Sequence, residues 1–267
     1  MGIVNANPDS FSDNGVSAGV ERAVAHGLRQ ARAGADVVEV GGESLRFAPP
    51  TAAEVEIARV VPVIERLVDA LDVPVAVDTF KAPVAAAAIA AGAAIVNDPT
   101  GLRDPAMMAA VADSRAGVVV THFFGEPKVR PAAFPDGDVV ARIAEWLAGQ
   151  LEAAEAAGID RARVVLDPGL GLGTAPAQDL ELLRRIDEVV ALGRPALVPI
   201  SAKKVLGALT GARASDRLAE TTAALAWCRA RGARVFRVHD VAFLRDALTV
   251  TEALCGADVE SWHEVPK

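Results

Sequence analysis

Asp78, Asn97 and Asp167 each close a short apolar run, and together they offer what the edge of a flat nitrogen heterocycle needs. A carboxylate accepts two parallel N–H bonds from such an edge, and an amide both donates and accepts. Lys203, Arg237 and His239 follow two later apolar runs and form a cationic arc suited to a phosphate or a carbonyl oxygen. Asn5, Glu43 and His122 end three further runs, and Ser201 and Lys204 flank the Lys203 position. If the runs converge, one mouth gains a heterocycle side and an anion side. Two plainer explanations compete with this. Polar residues follow apolar runs wherever a chain returns to water, and Asp167 with Lys203 can form a structural ion pair.

Other chemistry has weaker signals. Gly169-Leu170-Gly171-Leu172-Gly173 lacks the G-x-G-x-x-G spacing of a dinucleotide loop and follows Asp167-Pro168, so it reads as a loop that brings backbone close to a ligand. His26, His122, His239 and His263 have no metal-ligand spacing, and no paired cysteines are present. Mg²⁺ held by phosphate oxygens and Asn5 is the metal that this donor set suits. No nucleophilic triad is readable around Ser10, Ser12 or Ser201.

Something must position these residues. Eight short β-rich runs are read as strands: Gly2–Asn5, Asp36–Val40, Val75–Val77, Ala94–Val96, Gly117–Val120, Arg163–Leu166, Ala196–Ile200 and Arg234–Val238. Amphipathic or Ala-rich segments alternate with them: Val20–Ala33, Ala52–Ala70, Pro83–Ala91, Pro105–Ser114, Asp138–Ala157, Ala177–Ala191, Ser215–Arg231 and Val241–Leu254. Strict alternation predicts a parallel sheet with right-handed crossovers. Eight repeats predict an α/β fold of the (β/α)8 TIM barrel type, a single domain over 1–267, with the strand ends meeting at one face. An open doubly wound sheet is the alternative. The first, second and fifth βα loops are long, which predicts lids or binding loops.

The 267 residues are 52% hydrophobic and carry a formal charge of −8. That balance disfavours sequence-independent binding to nucleic acid. No apolar run reaches the roughly 18 residues of a membrane helix, so no membrane partner is expected. No basic segment precedes the first strand, nothing reads as a secretory signal, and a cytoplasmic location is expected. Cys228 and Cys255 both sit in apolar helical patterns and are expected to be buried thiols.

The polar strand ends lie inside longer strings. Met1-Gly2-Ile3-Val4-Asn5-Ala6-Asn7-Pro8-Asp9-Ser10-Phe11-Ser12-Asp13 resembles the MGILNVTPDSFSD opening of the dihydropteroate synthase family. Gly34 to Ser44 resembles GADIIDVGGES, Val77 to Lys81 resembles VDTYK, and Ile95 to Asp98 resembles the family's I-N-D string. Leu166 to Gly173 resembles LDPGFGFG, Ser201 to Lys204 lies where the family has SRKS, and Arg237 to Val241 resembles RVHDV. Seven strings in family order, each at a strand end, cover nearly the whole chain.

The resemblance implies C–N bond formation: a dihydropterin pyrophosphate loses pyrophosphate and the amine of p-aminobenzoate attacks the pterin methylene. It implies a pterin site of Asp78, Asn97, Asp167, Lys203 and Arg237, with Asp78, Asp167 and Lys203 nearest the catalysis. It implies a pyrophosphate site of Asn5, Arg46, Arg237 and His239, with Mg²⁺ at Asn5. Pterin and amine would be the small-molecule partners, and the protein would be a homodimer. The family usually has a further segment ahead of the first strand that plugs the barrel bottom.

The departures cluster in the acceptor pocket, where the resemblance places Phe11, Leu45, Phe47, Leu172 and Lys204. GESTRPG becomes Gly42-Glu43-Ser44-Leu45-Arg46-Phe47-Ala48, the Phe of GFG is Leu172, and SRKS becomes Ser201-Ala202-Lys203-Lys204. These predict an altered acceptor preference or weak synthase activity. A non-catalytic pterin-binding paralogue and a pterin-dependent methyltransferase barrel are the alternatives; the cationic arc disfavours the second.

Overall fold

The computed structural model describes residues 1–6, 19–45, 49–129 and 133–258. Its eight strands are β1 Gly2–Asn5, β2 Val38–Gly41, β3 Val75–Asp78, β4 Ile95–Asp98, β5 Gly117–Thr121, β6 Val164–Asp167, β7 Leu197–Val198 and β8 Val235–Phe236. β1 to β6 pair in parallel in chain order, and β7 pairs in parallel with β8. Two single bridges join these sheets, Leu166 to Ala196 and Gly2 to Val238. Backbone bonds reinforce both seams: the Leu166 N–H donates to Pro195 O at 2.9 Å, and the Ile3 N–H donates to Val238 O at 3.1 Å. The ring of eight is therefore closed and leaves no sheet edge.

Among the described residues ten α-helices surround it: α1 Val20–Arg32, α2 Ala53–Ala70, α3 Ala82–Ala90, α4 Pro105–Ala112, α5 Val139–Ala156, α6 Pro176–Arg184, α7 Ile186–Val190, α8 Lys204–Thr210, α9 Leu218–Ala230 and α10 Val241–Leu254. The helix starts have local causes. Asp104 and Asp138 accept backbone N–H groups from the first turns of α4 and α5, and Asp240 does so for α10. Pro105 and Pro176 occupy the first helical positions, where a missing N–H costs nothing. The Val-rich strands are buried on both faces, as a helix-covered parallel sheet requires.

Four details differ from the sequence reading. β7 and β8 are shorter than Ala196–Ile200 and Arg234–Val238, because Pro199 removes a ladder donor and the chain turns at Ile200. The helix expected over Ala177–Ala191 breaks at Arg185 into α6 and α7. The Arg185 side chain there binds Asp138 and Glu188. The helix expected from Ser215 begins at Leu218, and α8 precedes it unannounced. Gly207 makes α8 a poor helix by propensity, but it leaves room for the Arg217 guanidinium, 2.2 Å from where a Cβ would lie, which donates to the Ala202 and Lys203 carbonyls. Finally, Cys228 is buried, its thiol pushed up to about 12 by burial, but Cys255 is exposed just past the end of α10.

Candidate active site

Parallel register places Asn5 beside Gly41, Gly41 beside Asp78, and Asp78 beside Asn97. Alternation along each strand turns these side chains into the ring's C-terminal mouth. There they line a cavity of about 510 Å³ together with Asp167, Lys203, Lys204, Arg237, His239, Leu45 and Leu172. Phe11, Arg46 and Phe47, expected at the same mouth, lie outside the described residues.

The cavity floor is a continuous polar network. Arg237 Nη2 lies 2.7 Å from Asp78 Oδ2, and Arg237 Nε donates to Glu39 Oε1 at 2.5 Å. Glu39 Oε2 accepts from Asn97 Nδ2 at 2.8 Å, which fixes the amide with its carbonyl turned to the Thr121 hydroxyl. Thr121 also reaches Asp167 Oδ2 at 3.5 Å, and Asp167 Oδ1 accepts the Gly169 N–H at 2.7 Å. Two floor residues were missed by sequence reasoning. Glu39 is an acid in the middle of an apolar strand, and period-2 alternation was the signal that it points inward. Thr121 gave no signal of its own.

The glycine loop does approach the site closely. Gly169 has φ +75, and a Cβ there would fall 1.8 Å from the His122 carbonyl oxygen. Lys203 Nζ donates to the Leu170 carbonyl at 2.6 Å, so Lys203 and Asp167 bracket the loop. Ala202 has φ +57, an unusual value for a residue with a Cβ, and this turn aims Lys203 into the cavity. Ser201 Oγ lies 2.9 Å from His239 Nδ1 and orients the imidazole.

Burial sets the electrostatics of the floor. It raises Asp167 to about 6, against the opposing pull of the Gly169 N–H, Lys203 and Arg237. It raises Asp78 as well, with Arg237 the main opposing charge. Lys203 is lowered by burial, partly offset by Asp167. Burial also works against the Arg237 charge, but Glu39 and Asp78 outweigh it and raise the guanidinium. A desolvated acidic floor with held donors is prepared for a ligand that brings its own N–H groups. Arg237, expected at both the pterin and the pyrophosphate sites, is held at the cavity floor by its two carboxylates.

His122 is placed differently from the sequence expectation. His122 turns out of the mouth and packs edge-on against Phe134 and Trp146. Burial lowers it to about 4, helped by Arg103. Its folded pKa lies below the unfolded value near 6.5, so its contribution to stability is full above that pH and is lost as pH falls toward 4. At about 1.4 kcal/mol per pH unit the loss comes to roughly 3 kcal/mol. Urea unfolding of His122→Phe across this range is expected to show a slope reduced by about one proton relative to the parent. An unchanged slope contradicts the buried neutral imidazole. Glu43 reaches the cavity rim but is held by Lys81 and Lys128.

The family model described as pterin binding enzyme matches residues 1–239. The dihydropteroate synthase of Escherichia coli (strain K12) is 36% identical over 99% of this chain and 94% of its own length. An inactive dihydropteroate synthase 2 of Mycobacterium leprae is 39% identical over 96% and 90% respectively. A probable bifunctional folylpolyglutamate synthase/dihydropteroate synthase of Haloferax volcanii is 46% identical over 90% of this chain, which spans only 29% of that relative. Among solved structures, the dihydropteroate synthase of Xanthomonas albilineans with 4-aminobenzoic acid superposes with a TM-score of 0.89 at 46% identity, covering 97% of this chain and 93% of the other. Fold, floor residues and relatives agree: the chain belongs to the pterin-binding enzyme family, among the dihydropteroate synthases.

Proposed function

We propose that the protein is a dihydropteroate synthase-type transferase of folate biosynthesis, joining a dihydropterin pyrophosphate to p-aminobenzoate or a related amine. The floor network carries this reading. It offers a pterin's adjacent ring N–H, amino and carbonyl groups two carboxylates, an oriented amide and a lysine in one cavity. Asp78, Asn97 and Asp167 hold the ring edge, and Lys203 donates to the ring carbonyl. As the methylene C–O bond breaks, pyrophosphate leaves with the electron pair and the ring gains positive charge. The acidic floor stabilises that charge. The amine nitrogen then attacks the methylene and loses a proton. Arg237, fixed by Glu39 and Asp78, stands between pterin and pyrophosphate, and His239 and Asn5 face the leaving group, with Arg46 assigned there by resemblance.

Among the described residues no group of three His, Cys, Asp or Glu side chains can cage a metal. Asn5 offers a hard amide oxygen at the cavity, which suits Mg²⁺ taking its other ligands from phosphate and water. Bound there, Mg²⁺ would neutralise charge on the departing pyrophosphate. Assembly as a homodimer and a cytoplasmic location belong to the same proposal. The exposed Phe243, Val250 and Leu254, on one face of α10, support the first.

Leu45, Leu172 and Lys204 line the outer cavity, where the resemblance puts the acceptor. Lys204 suits a carboxylate, while two leucines replace groups that the family uses there, so acceptor preference is altered. Calorimetric titration with p-aminobenzoate in the presence of pyrophosphate tests this. Weak binding is expected; saturation at micromolar concentration overturns the altered preference. Binding without turnover is a second reading, favoured by the resemblance to the inactive M. leprae protein.

Asp167 adds a pH dependence. With its carboxyl raised to about 6, the acceptor form is complete above that pH and must be regenerated below it. Dihydropterin affinity is expected to be full near pH 8 and to fall as Asp78 and Asp167 take up protons, by up to about tenfold per unit for each carboxylate below its pKa. Calorimetry between pH 5 and 8 reads this directly, and a flat profile through pH 5 rules out Asp167 as the titrating acceptor.

A further inference from the structure

Resting on the two-substrate reading above, we infer that Lys128 is a positioning residue that ties the fifth βα loop to the second and so sets the outer, acceptor half of the site. Lys128 Nζ lies 2.8 Å from Glu43 Oε1 and donates to the Ser44 carbonyl at 2.5 Å. Both partners belong to the second loop, 84 or more residues away in sequence. The Lys128 side chain is only 9% exposed and that of Glu43 only 1%, so this is a desolvated pair and not a solvated surface contact. Lys128 itself has φ +65, a left-handed value that a residue with a Cβ adopts at a cost. A strained lysine with a buried head is held by what it grips.

The grip has a fixed base. Glu43 Oε1 also accepts the Thr51 N–H at 2.7 Å, and Glu43 Oε2 binds Lys81. Lys81 in turn donates to the Thr51 carbonyl at 2.6 Å and to Glu56 Oε2 at 2.7 Å. The two feet of the second loop, Glu43 and Thr51, are thus pinned to the start of α3 and to α2. Burial pushes Glu43 up, but Lys128, Lys81 and the Thr51 N–H together outweigh it and hold the carboxyl at about 2. Lys128 is the one member of this cluster that arrives from across the mouth. Its neighbour Val129 and its partner Ser44 line the same cavity wall, near Leu45. The carboxylate floor takes no part in the contact, so losing it should disturb the mouth and spare the pterin.

The test is Lys128→Met and Lys128→Arg, with Glu43→Gln/Lys128→Met as a charge-balanced control. In steady-state assays, Lys128→Met is expected to lower kcat/KM for p-aminobenzoate at least tenfold while KM for the dihydropterin pyrophosphate stays within twofold. Lys128→Arg should recover most of the loss. The double variant, which restores charge balance without the tie, should recover thermal stability but not acceptor use. Equal loss for both substrates, or recovery of acceptor use by the double variant, overturns the assignment. If the parent joins no amine at all, the two-substrate reading fails on its own. The tie is then read by hydrogen exchange at Thr51 and Ala52: faster exchange in Lys128→Met supports it and unchanged exchange overturns it.

Discussion

Asp167→Asn is expected to lower kcat/KM by about 10³-fold while leaving the fold intact. The Asn side chain has the same shape, and its oxygen can still accept the Gly169 N–H that Asp167 Oδ1 now accepts at 2.7 Å. What it loses is the charge and the second acceptor. A hydrogen bond to a charged group contributes about 1.5–3 kcal/mol, and an amide nitrogen turned toward a ligand N–H replaces attraction by repulsion. A buried negative charge under a ring that becomes cationic adds to this in the transition state. Together these come to roughly 4 kcal/mol, or three powers of ten. The loss should appear in single-turnover chemistry as well as in pterin affinity. A variant within tenfold of the parent would remove Asp167 from the site.

Glu39→Ala is expected to cost about 3–5 kcal/mol of stability, the range for removing one partner of a buried pair. Glu39 has no exposed surface and satisfies two neighbours at once, the Arg237 guanidinium and the Asn97 amide. Its removal leaves Arg237 with Asp78 as its one ion-pair partner among the described residues and leaves an Asn97 donor without its acceptor. Urea unfolding at neutral pH measures the loss, and a change below about 1 kcal/mol contradicts the network. Pterin affinity should fall too, because Asn97 loses the contact that orients it.

The barrel was legible because eight Val-rich runs alternate with helical segments, and because a parallel strand buried on both faces reads as a continuous apolar run. The strand-end residues were legible for the same reason: Asn5, Asp78, Asn97 and Asp167 interrupt those runs where they reach the mouth. Faces were harder. On β5 the backbone stays extended past Thr121, with the His122 N–H donating to Asp167 O at 2.9 Å, so Thr121 faces in and His122 faces out. A one-residue difference in the count exchanges the two sides. Glu39 was hidden inside its run, because a buried acid there makes sense only once Arg237, 198 residues on, is known to meet it. α8 was hidden because a helix containing Gly207 is stabilised by Arg217 and not by its own propensity. The Lys81 and Lys128 contacts to Glu43 join loops distant in sequence, and no local pattern announces them.

The most direct test of the whole account is pyrophosphate release from dihydropterin pyrophosphate with Mg²⁺, measured with and without excess p-aminobenzoate while the products are followed by mass. Release is expected to depend on the amine and to yield a pterin–amine adduct, even if the amine must be concentrated. No release under either condition would contradict it and leave the cavity as a pterin-binding site without turnover.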